Sequence, residues 1–273
     1  MTISTERQPV AIIGAGRMGR GLELALRRAG AEVTLLPRSR RPEETRGAAL
    51  VLIAVPDDSI ARVAVELARD DAIGERQVVL HLSGLLDRRA LEALGSTGAG
   101  LGSFHPLQAI ADPASAPERL AGSFAGLEGD ARGLAAGEWL AAVLGMRTVR
   151  LAPGSKPAYH AGAVIASNYA VVLADTAARL ARHGGIADHE AAAMYLPLMR
   201  GTLANLALGP VAALTGPVRR GDADTVRTHL AVLDPDDRAL YRALGLAALR
   251  LAREAGLAPE VAEEVKRVLG NGG

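Results

Sequence analysis

The chain has 273 residues, 49% of them hydrophobic, which is enough to bury one or two ordinary cores and too apolar for a disordered polypeptide. Its 31 basic and 30 acidic residues leave a net charge of +1, so no global field recruits nucleic acid or an anionic membrane. Cysteine is absent, which excludes disulfides, thiolate catalysis and cysteine-based metal centres. The stretch MTISTERQPV lacks an apolar signal core, and no run of about eighteen uncharged apolar residues follows, so a soluble cytoplasmic protein is expected.

Residues 10–13 read VAII, a buried β-branched run. Directly after it stands G-x-G-x-x-G, formed by Gly14, Gly16 and Gly19, and a helix-period segment over 22–28 follows. In that position Gly14 permits a tight turn, Gly16 lets a pyrophosphate approach the backbone, and Gly19 lets helix pack on strand. The first helical residues, Arg17 and Met18, then lie at an N-terminus whose partial charge favours an anion. A tight strand-to-helix turn without ligand is the plainer alternative. The next strand, 33–36, ends at Arg38, Ser39, Arg40 and Arg41. An acid there would hold the ribose 2′-hydroxyl of NAD, whereas guanidinium groups and a hydroxyl suit the 2′-phosphate of NADP. Arg38, Ser39 and Arg40 therefore predict NADP, the competing reading being a solvated basic loop.

Strand-like runs continue at 50–55, 78–82 and 100–104, with an amphipathic helix at 60–68. Two more, at 123–128 and 147–151, flank a helical segment at 131–144. The alternation predicts an α/β domain with a doubly wound, mainly parallel sheet. Ligands of such sheets collect at the carboxyl ends of strands, so Val55 and Pro56 after one strand and Ser83 after another should border the nicotinamide half of a dinucleotide. Asp57 and Asp58 are expected to cap the following helix. His81 is expected to alternate to the other face of its strand. From residue 158 on, Ala, Leu, Arg and Val recur at helical spacing, broken at His183-Gly184-Gly185, Gly209-Pro210, Gly216-Pro217 and Asp234-Pro235. The division predicted is a Rossmann dinucleotide-binding domain over 1–153 and an all-helical substrate and dimerisation domain over 154–273.

Pro157 suits a first helical position, which puts Lys156 at a helix start and His160 one turn in. Lys156, His160, Ser167 and Asn168 then share an arc of about 120° on a helix otherwise apolar. A carbonyl or imine that accepts hydride needs a proton or a hydrogen-bond donor, and Lys156, His160 and Asn168 can supply one. The competing reading is a solvated lysine with a histidine and an asparagine bonded inside a helix interface. His105, in Phe104-His105-Pro106-Leu107-Gln108, follows a strand end near the same cleft and is open between a structural and a catalytic role. Asp188-His189-Glu190 fails the H-E-x-x-H metal spacing because residue 193 is Ala, and it reads as a helix start capped by Asp188. Asp234-Pro235-Asp236-Asp237 reads the same way, and no metal site is expected. The turn LTGPVRRGD, residues 214–222, either reaches a carboxylated substrate or caps helices.

The motifs G-A-G-R-M-G, L-I-A-V-P-D-D, H-L-S-G, F-H-P-L-Q, A-Y-H-A-G-A-V-I-A-S-N-Y and L-T-G-P-V-R-R-G-D, in this order over nearly the whole chain, resemble the Rossmann-like oxidoreductases that carry a C-terminal domain of the DUF2520 type. More distantly the chain is similar to 6-phosphogluconate dehydrogenase, pyrroline-5-carboxylate reductase, ketopantoate reductase and F420-dependent NADP reductases. The resemblance implies a Rossmann domain, an all-helical 6-phosphogluconate-dehydrogenase-like domain that forms a homodimer, and a substrate cleft between the domains. In the related dehydrogenases a lysine precedes an asparagine by about one turn on this helix, whereas Lys156 and Asn168 are about three turns apart. That departure favours His160 as the acid, with Asn168 orienting substrate or the carboxamide. The function expected is NADP(H)-dependent hydride transfer to or from a small carbonyl or imine, a keto acid among the candidates. A catalytically silent dinucleotide-binding sensor or assembly protein, and hydride exchange between NADP and a deazaflavin, stay open as alternatives.

Overall fold

The computed structural model describes residues 8–37 and 42–270, so Arg38, Ser39, Arg40 and Arg41 lie outside the described residues. Contacts divide the chain into two units, Met1–Asn168 and Tyr169–Gly273. The sheet of the first unit holds β1 (Val10–Ile13), β2 (Val33–Leu36), β3 (Leu50–Ile53), β4 (Val78–His81), β5 (Gly100–Pro106), β6 (Phe124–Gly129) and β7 (Arg147–Arg150). Their order across the sheet is β2-β1-β3-β4-β5-β6-β7. β1 to β5 run parallel, β6 is antiparallel to β5, and β7 is parallel to β6.

Alternation along β1 explains why the sheet is wound on both faces. Val10 and Ile12 point into one core with Leu22 and Leu26 of α1 (Arg17–Arg28), while Ala11 and Ile13 point into the other with Ile60 and Val63 of α2 (Asp57–Arg69). The short α3 (Ala116–Leu120) and then α4 (Ala131–Val143) join the first core, α4 being capped by Asp130, whose carboxylate accepts from the amides of Arg132 and Gly133. The expected strand at 50–55 ends at Ile53; the Ala54 amide still donates to the Ile13 carbonyl at 2.8 Å, and the chain then turns so that Pro56 stands at the N-cap of α2. The expected strand at 100–104 runs on to Pro106, because β6 pairs with it antiparallel from Gly102 to Pro106. β7 is the outer edge, with all four of its residues exposed.

The long helix α5 (Lys156–His183) begins in the first unit and continues into the second. It is long and apolar enough to cross a membrane by length and composition, with a mean hydropathy of 1.3. The second unit adds α6 (Asp188–Asn205), α7 (Pro210–Ala213), α8 (Pro217–Arg220), α9 (Ala223–Val232), α10 (Pro235–Glu254) and α11 (Pro259–Gly270). Val218, Val226, Leu230, Leu249, Ala262, Val265 and Leu269 form its core. Asp234 caps α10 as the sequence predicts, accepting from the Asp237 amide, and Arg179 donates to both carboxylate oxygens of buried Asp237 at 2.5 and 2.6 Å. Asp188 is a correction. Ala187 holds the N-cap of α6, and Asp188 falls in the first turn, where it lies 3.6 Å from Arg182 and meets the helix dipole without capping a backbone amide. In the 214–222 turn, Arg219 donates to the Ala255 carbonyl at the end of α10, which is the capping alternative for that residue.

Candidate active site

β1 and β3 are neighbours whose connections leave in opposite directions, so their carboxyl ends form the switch point where open α/β sheets take ligands. Gly14 follows β1 at φ +115°, and a Cβ there would lie 2.4 Å from the Ala54 carbonyl oxygen. A Cβ on Gly19 would lie 1.9 Å from the Gly14 carbonyl oxygen. Packing therefore dictates those two glycines. Gly16 is different, because nothing lies within 4 Å of where its Cβ would stand. The protein itself does not require a glycine there, and the open space fits backbone approached by a ligand. Gly16 is also the N-cap of α1, without a side-chain cap and without an acid in the first turn, so the amides beyond it face outward with uncompensated partial charge. Arg17 is exposed, Met18 half-buried, and Arg20 braces the turn through Nε to the Ala15 carbonyl at 2.9 Å. Val55 is half-buried and Pro56 exposed at the end of β3. These residues fit a dinucleotide pyrophosphate. The arginines expected to choose NADP lie outside the described residues.

A second cluster forms where β4, β5 and the start of α5 meet. Lys156 is only 1% exposed, and its Nζ donates to the Ser83 carbonyl and to Ser103 Oγ, both at 2.7 Å. Burial pushes the Lys156 ammonium down to about 8, against the opposing pull of Glu128, Asp87 and Asp57. Ser83 Oγ donates to Asp57 at 2.8 Å and accepts from the amides of Leu85 and Leu86. Asp57 thus corrects the capping expectation: with Pro56 at the N-cap, the Asp57 carboxylate crosses to fix the Ser83 turn, while Asp58 accepts from Ser59 Oγ. His81 is a further correction, since its ring does not simply turn away. Its Nδ1 accepts from the Ser83 amide at 3.2 Å and its Nε2 faces the Asp87 carbonyl at 3.0 Å, which places the proton on Nε2 and requires a neutral ring. Burial, then the Lys156 charge, lowers His81 to about 4.

His105 on β5 and His160 on α5 close over the same turn, with ring centroids 5.8 Å apart and planes at 79°. A Cβ on Gly84 would stand 2.5 Å from His160 Nδ1 and 2.9 Å from His105 Nε2, so only glycine lets both imidazoles approach. His105 Nδ1 lies 2.9 Å from the Tyr159 hydroxyl. Burial, followed by Lys156 and His160, lowers His105 to about 4. His160 Nδ1 is buried without a hydrogen-bond partner among the described residues, a state that costs about 1 to 3 kcal/mol unless a ligand supplies the partner. The structure therefore brings Lys156, His105, His160 and Ser83 together. It does not bring Asn168 to them: that residue is exposed and lies about 12 Å beyond His160 and about 18 Å beyond Lys156 along the helix. Sequence reasoning missed Asp57, His81, Gly84, Ser103 and Tyr159 as members of this cluster. All of them but Ser103 carried a signal, since L-I-A-V-P-D-D, H-L-S-G and A-Y-H-A-G contain them. Among the described residues no group of three or more His, Asp or Glu could hold a metal ion.

Residues 123–248 match the family described as a domain of unknown function, DUF2520, and residues 35–106 match a Rossmann-like domain. No curated protein matches the chain. Among solved structures, a candidate NADP oxidoreductase from Bacteroides fragilis is 22% identical with a TM-score of 0.71, over 92% of this chain and 100% of that one. Protein TM1727 from Thermotoga maritima is 25% identical with a TM-score of 0.64, over 94% of this chain and 100% of that one. A Plasmodium falciparum pyrroline carboxylate reductase with NADP bound is 11% identical with a TM-score of 0.61, over 98% of this chain and 100% of that one.

Proposed function

We propose that this chain, a Rossmann-like domain joined to a DUF2520 domain, is an NADP(H)-dependent oxidoreductase that transfers a hydride to or from a small carbonyl or imine, a keto acid among the candidates. The observation that carries the reading is the buried cluster of Lys156, His105 and His160 at the carboxyl ends of a sheet whose switch point fits a dinucleotide. Two structural relatives, a candidate NADP oxidoreductase and an NADP-bound pyrroline carboxylate reductase, point the same way.

When bound, the nicotinamide supplies the hydride. Gly16 with the amides of Arg17 and Met18 would hold the pyrophosphate on the turn that Gly14 and Gly19 shape, Arg38, Ser39 and Arg40 would take the 2′-phosphate, and Val55, Pro56 and Ser83 would border the nicotinamide. Lys156 has two of its three protons engaged by Ser83 and Ser103, so it orders the turn and adds positive potential where an oxyanion develops. No hydrogen bond engages the His160 ring among the described residues, which leaves it as the proton donor to the reduced atom. Asn168 stands apart from this chemistry. Exposed apolar side chains along α5 and α6, among them Val171, Val172, Leu198 and Leu203, support a homodimer built through the helical domain.

The experiment is oxidation of NADPH and of NADH by the purified protein against a panel of 2-keto acids and cyclic imines. Turnover with NADPH preferred is the expected result, and Arg38→Ala should weaken NADPH about ten- to a hundredfold while leaving NADH unchanged. Tight NADPH binding with no turnover of any panel member leaves the silent dinucleotide-binding protein as the reading. Equal loss for both cofactors in Arg38→Ala sinks the NADP assignment.

A further inference from the structure

Tyr159 occupies a place prepared for it by a strand two elements away. β5 and β6 pair so that His105 stands opposite Gly126, and a Cβ on Gly126 would lie 2.7 Å from the Tyr159 hydroxyl oxygen. A side chain at 126 would therefore displace the phenol. The missing side chain opens a slot beside His105, and the hydroxyl fills it at 2.9 Å from His105 Nδ1. The ring meets the imidazole edge to face, with centroids 5.5 Å apart and planes at 87°.

The direction of that hydrogen bond follows from its surroundings. Burial raises the Tyr159 hydroxyl above its ordinary range, so it keeps its proton. Between a protonated phenol and a neutral imidazole, the phenol O–H is the stronger donor and the imidazole nitrogen the stronger acceptor, so the hydroxyl donates to His105 Nδ1. A neutral imidazole that accepts at Nδ1 carries its proton on Nε2. His105 Nε2 and Cε1 face Gly84, each 2.9 Å from where a Cβ would stand, and the unpartnered Nδ1 of His160 is 2.5 Å from the same point.

We propose that Tyr159 is a positioning residue: through Nδ1 it holds His105 in the Nε2–H tautomer, so that His105 presents a hydrogen-bond donor to the Gly84 turn and the His160 ring. Histidine tautomers are commonly set by the partner of the second nitrogen, and that orientation decides what the first nitrogen offers. His105 then donates without becoming charged, which suits a buried ring next to the Lys156 ammonium. Its use in reduction rests on the proposed reaction; the tautomer itself does not.

The test is nitrogen NMR of the full chain with 15N-labelled histidine, the His105 signals assigned by their loss in His105→Gln. Wild-type His105 is expected to show a protonated Nε2 and a bare Nδ1. In Tyr159→Phe, which keeps the aromatic edge contact and removes the hydroxyl, His105 is expected to become an exchanging mixture of tautomers. Gly126→Ala is expected to act in the same direction by pushing the phenol away. His81 is the internal reference, because its own Nε2–H tautomer is held by Ser83 and Asp87 and should not change. A proton on His105 Nδ1 in the wild type overturns the proposal, as does an unchanged His105 in Tyr159→Phe. Joint loss of the His81 and His105 patterns also overturns it, since that marks collapse of the whole turn. The measurement needs neither substrate nor cofactor, so absence of turnover overturns the proposed reaction and leaves the positioning result standing.

Discussion

β1 with β3 and the helical surface of α5 with α6 both present apolar side chains, which meet opposite fates. No residue of β1 or β3 is more than 1% exposed, whereas Val171 is 69% exposed and Leu198 64%. The strands are covered because each alternate residue meets a helix of the same unit, α1 on one face and α2 on the other. The helical surface has no such cover within its unit. Apolar burial yields about 25 cal/mol per Å², so a face of this kind favours association with another apolar face. The strands of the first unit are covered from within it, while the apolar face of the second is left open.

The largest effect that sharpens this contrast concerns the closed unit's site. His160→Ala should lower NADPH-dependent turnover on the order of a hundred- to a thousandfold while NADPH affinity and melting temperature stay near wild type. A variant with full activity per folded molecule removes His160 from the chemistry.

Acid should separate the two units next. His81 and His105 are each held near 4 in the folded chain, below the model-peptide value of 6.5. Their neutral forms are the folded forms, so their stabilisation is complete above about pH 6.5 and is lost as pH falls toward 4. For His81 alone the shift corresponds to about 3 kcal/mol. In the helical unit, Asp237 is depressed by its bonds to Arg179, so its contribution is full above the ordinary carboxylate range and is lost only as the pH falls through that range and below it. Hydrogen exchange from pH 7 to 4.5 should therefore show the sheet amides losing protection before those of α10. Protection lost first in α10 would refute the assignment.

The smallest effect tests the open surface. Leu198→Glu places a charge on the exposed face and should weaken self-association about ten- to a hundredfold, read by light scattering across a concentration series, with sheet protection unchanged. A wild-type protein that is monomeric at every concentration removes the homodimer.

How much of this was legible beforehand depended on the range of the interactions. The strands β1 to β4 are runs of β-branched and aliphatic residues whose signal is local, and the dinucleotide turn reads directly from three glycines. The end of β5 was not legible, because its last two residues are held by β6, some twenty positions later. Lys156 and His160 were legible because one helical turn separates them. Asp57 was misread because an acid in a first turn looks like a cap until the fold brings Ser83 beside it. Tyr159 was missed because its partner depends on which residue of β6 stands opposite His105.

The outer strand β7 has a consequence for solubility. A sheet edge presents unpaired amides and carbonyls to any other edge, and proteins guard such edges with charge. Here Arg147 lies 4.3 Å over the Phe124 ring and Arg150 pairs with Glu138 at 2.5 Å, so the strand that ends the sheet carries arginines at both of its ends. Two such edges brought together would set like charges opposite one another. On the β7 side, edge-to-edge pairing of two sheets is thereby disfavoured.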